Sequence, residues 1–393
     1  MKIAVIGSGG AGLTSAWLLE GEHEVVVYER HGTLGGHAHT VEVACDGHVH
    51  YVDDGFCWFS ERMYPRYLAL LKHLEVRTDT VQMTASFTDV RRRKSVFMPP
   101  VGFGPVMGVL FSPFALGNLL RFAGAVKAAE GIVRDHITQM TCEEFLAGLS
   151  QSKRFQDEFL VPFMSAVWGC PWEQTLRSSI YPLMKYIVLH RPTAFSYYTW
   201  HVVGGGAATY IRTLAADLKR ATVHVNAPVQ AVQRTDAGFR VAAKGVEPQD
   251  FDQVVIAAGA RDAGQILADT QGVKRAKEAL GRFEYYKAHV ATHRDASYMP
   301  AKRKHWAVGN VRYDGTSADM TIWHGRKTGA PVFATYIQEN EPAETQHVST
   351  FWLPMETPAH FDAQEALAAT QGEQGLWFAG DYTRDIGSHE DAV

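Results

Sequence analysis

Cysteine is scarce. Four residues, Cys45, Cys57, Cys142 and Cys170, occur in a chain of 393, and no two stand at the two-residue separation of a structural zinc site or a dithiol centre. That usage fits a reduced, cytoplasmic setting. An excess of positive charge is missing too. Lys and Arg total 38 against 42 Asp and Glu, a net charge of -4, so the field that phosphate-backbone binding needs is lacking and nucleic acid is not expected as a partner. Residues 95–120 carry no charge, but Pro99, Pro100, Pro105 and Pro113, with Gly102, Gly104, Gly108 and Gly117, would break a membrane-spanning helix. The stretch reads as an irregular apolar wall of a substrate cavity. Because Arg91, Arg92, Arg93 and Lys94 precede it, a shallow peripheral membrane contact is the sharper alternative. Internal repeats and low-complexity tracts are absent as well.

What is present is a globular composition: 46% hydrophobic and 20% charged residues exclude a disordered, collagen-like or coiled-coil chain. The length implies two domains. The opening segment imitates a secretory signal, a lysine before an apolar small-residue run, but its glycine spacing argues otherwise. Residues 2–6 read as an apolar strand, 11–19 as a helix of small residues and 24–28 as a second strand, a βαβ unit. Asp46-Gly47 marks a hairpin turn. Residues 67–74 read as helix, and 98–198 as a mostly helical, aromatic region. A Gly-rich turn and an amphipathic helix follow over 204–219. Strand signals return at 223–225, 229–233, 239–243 and 254–258, then at 290–292, 320–323 and 332–336.

The chemistry begins at Gly7-Ser8-Gly9-Gly10-Ala11-Gly12, a GxGxxG loop after a strand and before a helix. Gly7 permits the turn, Gly9 lets backbone approach a pyrophosphate, and Gly12 lets helix and strand pack closely. The helix N-terminus supplies amide donors to phosphate. Glu29, ending the next strand, is placed to accept the ribose hydroxyls.

Glu29-Arg30 is followed by Leu34-Gly35-Gly36-His37, and the chain closes with Trp377-Phe-Ala-Gly-Asp-Tyr-Thr and Gly387-Ser-His-Glu-Asp-Ala-Val393. In these motifs the sequence resembles the flavin-containing amine oxidase and phytoene desaturase superfamily, and within it bacterial FAD-binding oxidoreductases with a Gly-Gly-His motif. The resemblance implies an α/β fold: a discontinuous, Rossmann-like FAD-binding domain of the glutathione-reductase type, with an inserted α+β substrate domain. The expected division is 1–90, 200–265 and 355–393 for FAD and 91–199 with 266–354 for substrate. It also implies that Gly35, Gly36 and His37 pack beside the FAD pyrophosphate and that Gly380 and Asp381 approach the ribityl and phosphate region. The helix near Glu390, with Ser388 and His389, then points at the cofactor, and Gly55 and Phe56 pass near the flavin ring. Arg30 and Val229 complete the expected contacts.

The amine oxidases commonly carry a cage tyrosine two positions before the glutamate of the C-terminal motif; here that position is Ser388. Residues 378–383 are closer to carotenoid desaturases, whose substrates are long and apolar. The expected activity is therefore hydride transfer from an apolar, lipid- or polyene-like substrate to FAD, with dioxygen or another acceptor restoring the flavin. A redox-neutral double-bond isomerase, an amine oxidase and a non-catalytic flavin-binding protein are the alternatives. Tyr198, Trp200 and His201, before the Gly204 turn, are the candidate substrate-facing residues, with His201 the ordinary acid-base group. His37, His39, His48 and His50 form two HxH pairs that could meet at one metal, but no nearby cysteine or Glu-x-x-His pattern supports this, and no metal is expected.

Overall fold

The computed structural model describes residues 1–98, 113–190 and 200–393. At its centre is an all-parallel sheet in the order Thr222–His224, Glu24–Tyr28, Lys2–Ile6, Gln253–Ile256, Leu376–Phe378. The runs KIAVI and EVVVY show no alternation of apolar and polar residues, because a parallel sheet is covered on both faces. Ile3, Val5, Val25 and Val27 cluster with Ala16 of helix Gly10–Leu19, whereas Ala4, Ile6, Val26 and Tyr28 cluster with Val254, Ile256 and Phe239. From Lys2–Ile6 the chain passes first to one side and later returns on the other. A crevice therefore opens at the carboxyl ends of these strands, where open α/β sheets bind ligands. Val229–Arg234, Phe239–Ala243 and Val246–Phe251 form an antiparallel sheet beside it.

A second, mixed sheet runs in the order Thr345–Pro354, Tyr285–His293, Phe333–Ile337, Ala318–Trp323, Gly309–Tyr313, Ala85–Asp89, Lys94–Met98. Residues 85–89, grouped by sequence with 1–90, pair here with Gly309–Tyr313. Arg91, Arg92 and Arg93 of the basic run lie in the turn of a hairpin in this sheet, and Lys94 opens its second strand. Arg91 pairs with Asp89 at 3.3 Å and stacks over Tyr313, and Arg92 pairs with Glu158 at 2.5 Å, so two of its cations are engaged inside the protein.

The expected helical region holds Pro113–Arg134, Cys142–Gly148, Val161–Trp168, Trp172–Arg177 and Ile180–Leu189. A π-turn over Gln156–Leu160 precedes Pro162, whose ring has no amide to give the preceding turn. Among the described residues no helix is long and apolar enough to cross a membrane. Tyr198 and residues 99–112 of the apolar stretch lie outside the described residues.

Candidate functional site

Two glycine turns meet in the crevice. Gly9 and Gly35 form a parallel bridge, with Gly35 N donating to Ser8 O at 3.0 Å. A Cβ on Gly12 would lie 2.0 Å from Gly7 O, so helix and strand stand at a separation only glycine allows. The helix Gly10–Leu19 starts without a side-chain cap, which leaves its first amides free for a ligand. Buried Glu29 accepts Ser8 N at 3.1 Å and Ser8 Oγ at 2.6 Å on Oε2, and His31 N at 2.8 Å on Oε1. Three of the carboxylate's roughly four acceptor positions are filled. Two ribose hydroxyls therefore require Ser8 Oγ to turn away.

The hairpin Thr40–Cys45/His48–Asp53 closes on the second turn. His37 O accepts Phe56 N at 2.9 Å, and a Cβ on Gly55 would sit 2.1 Å from that oxygen. From the far end of the chain, His389 stacks on Phe56 with centroids 4.1 Å apart and bonds Tyr210 Oη at 2.6 Å. Burial drives its imidazole down to about 3, so it is neutral at physiological pH. Asp381 Oδ2 lies 3.7 Å from His37 Nδ1.

These segments enclose a cavity of about 960 Å³. Gly7, Ser8, Gly9, Gly10, Ala11, Glu29, Arg30, Gly35, Gly36, His37, Gly55, Phe56, Val229, Gly380, Asp381, Ser388 and His389 all line it. Gly12 stays behind, in the helix-strand contact. Its other walls include Met63, Tyr64, Trp168, Tyr186, Tyr286 and Tyr336. Glu356 joins this aromatic part, accepting Trp168 Nε1 at 3.1 Å. Burial pushes its carboxyl well above the ordinary carboxylate range, the direction that favours the uncharged form.

Two sequence assignments need correction: neither Trp200 nor His201 is among the residues lining this cavity. Trp200–Val203 is the central strand between Phe59–Ser60 and Thr78–Val81, so its side chains fill the packing behind the wall. Trp200 stacks on His190 at 4.0 Å, with Tyr186 between it and the cavity side. His201 stacks on Phe59, its ring nitrogens have no hydrogen-bond partner among the described residues, and Glu61 is 3.5 Å away. Nor do the two HxH pairs converge as four imidazoles. His48 and His50 contact each other, whereas His39 bonds Asp54 at 2.7 Å and faces His347, 5.8 Å between ring centroids. Sequence reasoning missed Glu356 and His347 along with the aromatic wall; none belongs to a local motif, and only the tertiary fold brings them in.

A dinucleotide-binding crevice continuous with an aromatic chamber fits FAD: a glycine cradle without side chains, an uncapped helix start and a ribose-side carboxylate share one cavity. Such an arrangement defines a flavin-dependent oxidoreductase. The model of the flavin-containing amine oxidoreductase family matches residues 11–344, and the chain belongs to that family. It is an FAD-dependent enzyme.

The fold is similar to that of a CLA-producing fatty acid isomerase from P. acnes, with a TM-score of 0.73 at 13% identity, covering 99% of this chain and 95% of that one. Cyclohexylamine oxidase from Brevibacterium oxydans IH-35A follows with a TM-score of 0.68 at 14% identity over 100% and 96%. Putrescine oxidase bound to putrescine gives 0.65 at 14% identity over 100% and 96%. A search of curated proteins finds no match.

Proposed function

We propose that the enzyme takes hydride from an apolar, lipid- or polyene-like substrate, as an oxidase or desaturase, with dioxygen or another acceptor restoring the flavin. The observation that carries this reading is the aromatic wall of Tyr64, Trp168, Tyr186, Tyr286 and Tyr336, beside which burial pushes the Glu356 carboxyl toward its uncharged form. Such a wall favours apolar ligands over ammonium ions. Ser388, which caps the last helix through Asp391, stands where an amine oxidase would offer a tyrosine to its cage. FAD, when bound, supplies the hydride acceptor. In this reading the protein's own groups orient and desolvate: Gly7–Ala11 and the Gly35–Gly36 turn receive the pyrophosphate, Glu29 the ribose and Asp381 the ribityl region. The domain division is read as 1–90, 200–265 and 355–393 for FAD and 91–199 with 266–354 for substrate, and the pairing of Ala85–Asp89 with Gly309–Tyr313 supports moving the first boundary before 85.

A redox-neutral double-bond isomerase is the second reading, favoured by the likeness to the fatty acid isomerase fold. The test is anaerobic mixing of FAD-loaded protein with oleic acid, linoleic acid and benzylamine. Flavin bleaching by a fatty acid supports oxidation, and product without bleaching supports isomerisation. Rapid bleaching by benzylamine, with fatty acids neither binding nor reacting, refutes the proposal.

A further inference from the structure

Among the described residues, five histidines line the cavity: His31, His37, His39, His347 and His389. They differ in what stands behind the ring. His389 is kept neutral and tied to Tyr210, and His31 Nε2 accepts Arg30 Nε at 3.0 Å. His37 stands 3.7 Å from Asp381, beyond a hydrogen bond. Only His39 has a carboxylate at bonding distance, Asp54 Oδ1 at 2.7 Å, and that side chain has no solvent exposure.

The network around Asp54 assigns the protons. Ser349 Oγ donates to Asp54 Oδ2 at 2.6 Å. With its one hydrogen used, Ser349 accepts from His347 Nε2 at 3.0 Å. Asp54, an acceptor when ionised, takes the Nδ1 hydrogen of His39. His39 Nε2 is then the basic nitrogen, it has no hydrogen-bond partner among the described residues, and its side chain is 42% exposed. We propose that the His39–Asp54 pair is the proton-uptake site of the flavin reaction, charging to imidazolium as two electrons enter the cofactor.

The chemistry balances without a further reactant. As substrate is oxidised, the electron pair of one C–H bond leaves with its hydrogen to reduce the flavin. The electrons of a neighbouring C–H or heteroatom–H bond form the new double bond, and the proton left behind goes to His39 Nε2. Asp54 stabilises the imidazolium, and the same hydrogen bond holds the His39 pKa above its ordinary value. Ser349 and His347 are positioning residues. Of the other titratable groups around the pair, Asp53 and His50 belong to the hairpin, Tyr336 to Phe333–Ile337 and His324 to the turn after Ala318–Trp323. Burial keeps Tyr336 protonated and His324 neutral, its pKa down to about 4. The inference holds whatever the substrate.

The test needs no substrate. Midpoint potentials of the FAD-loaded full chain are measured from about pH 6 to about pH 9 for the wild type, His39→Asn and Asp54→Asn, with flavin content confirming that each variant is folded. Across the interval where His39 titrates, the wild type takes up one more proton per two electrons than His39→Asn. Its potential then falls more steeply by about 30 mV per pH unit. Asp54→Asn moves the interval to lower pH. In the wild type itself, the His39 imidazole resonance titrates at higher pH when the flavin is reduced, a readout that survives failure of any variant to fold. Equal pH slopes in wild type and His39→Asn, or a His39 titration indifferent to flavin reduction, overturn the proposal. Stoichiometric metal in the purified protein, lost in both His39→Asn and His347→Gln, also overturns it and makes His39, Asp54 and His347 metal ligands.

Discussion

Glu390 caps a helix 324 residues earlier in the chain: Oε1 accepts Arg66 N at 3.0 Å and Oε2 accepts Tyr67 N at 2.9 Å. Tyr64, before Pro65–His73, offers no side-chain cap, and a buried helix start needs its first amides satisfied. The carboxylate also meets the positive end of the helix dipole. The C-terminal His-Glu-Asp motif is therefore a clamp: His389 packs on Phe56, Glu390 caps, and Asp391 holds Ser388. Glu390→Ala is expected to destabilise the protein by about 1–3 kcal/mol, read as a lower urea midpoint with unchanged slope. Glu390→Gln, which keeps an acceptor oxygen, recovers part of the loss.

Glu29→Ala removes the ribose-side acceptor and also frees Ser8 and His31 from their shared partner. Loss of charge-assisted hydrogen bonds, about 1.5–3 kcal/mol, lowers FAD affinity by about tenfold to a hundredfold, measured by titrating apoprotein with FAD. Ser8→Ala, which vacates one acceptor position on Glu29, weakens FAD far less. Equal losses in the two variants would show that Glu29 acts only on the loop.

Gly55→Ala places a methyl group 2.1 Å from His37 O, a backbone atom that cannot step aside. The bond from Phe56 N to that oxygen must break, and with it the register between hairpin and Gly-Gly-His turn. The purified variant should carry little FAD, seen as loss of flavin absorbance per protein. Gly47→Ala, in open space at the hairpin tip, should retain it; its positive φ of 75° costs stability without touching the site.

Asp53 carries a pH signature. It accepts Thr40 Oγ1 at 2.6 Å and Ala207 N at 2.8 Å, both on Oδ1, yet burial raises its pKa from 3.8 to about 7. The folded state then binds the proton more tightly than the unfolded chain, so the stability it contributes is full below the unfolded value and falls as pH rises through about 7. Asp53→Asn keeps an oxygen for both donors and never ionises. Denaturation curves from about pH 4 to about pH 8 should show the wild type losing stability relative to Asp53→Asn as pH rises toward about 7, with no further relative loss above it.

Much of the nucleotide half was legible because its signals are local. A turn at φ 106° demands glycine at position 7, a doubly covered parallel strand demands a run such as EVVVY, and a hairpin declares itself through Asp46-Gly47. Strands Phe59–Ser60, Thr78–Val81, Gly309–Tyr313 and Thr345–Pro354 went unread, because short or polar strands take their stability from partners rather than from their own pattern. Trp200 and His201 looked like site residues because an aromatic cluster before a glycine turn carries no mark of which layer it will occupy. Their place between two neighbouring strands is a property of pairing.

The amino-acid sequence alone settled a dinucleotide-binding frame, since backbone geometry at glycine and burial on both sheet faces act within a few residues, and its motifs' resemblance to a flavin family pointed to FAD. The tertiary structure decided which groups face one another across the cavity. His39 and Asp54 stand at the two ends of a hairpin, and their partners Ser349 and His347 come from the edge of a different sheet. A carboxylate becomes a partner for an imidazole only at hydrogen-bond distance and away from water, and both conditions are set by how the chain packs.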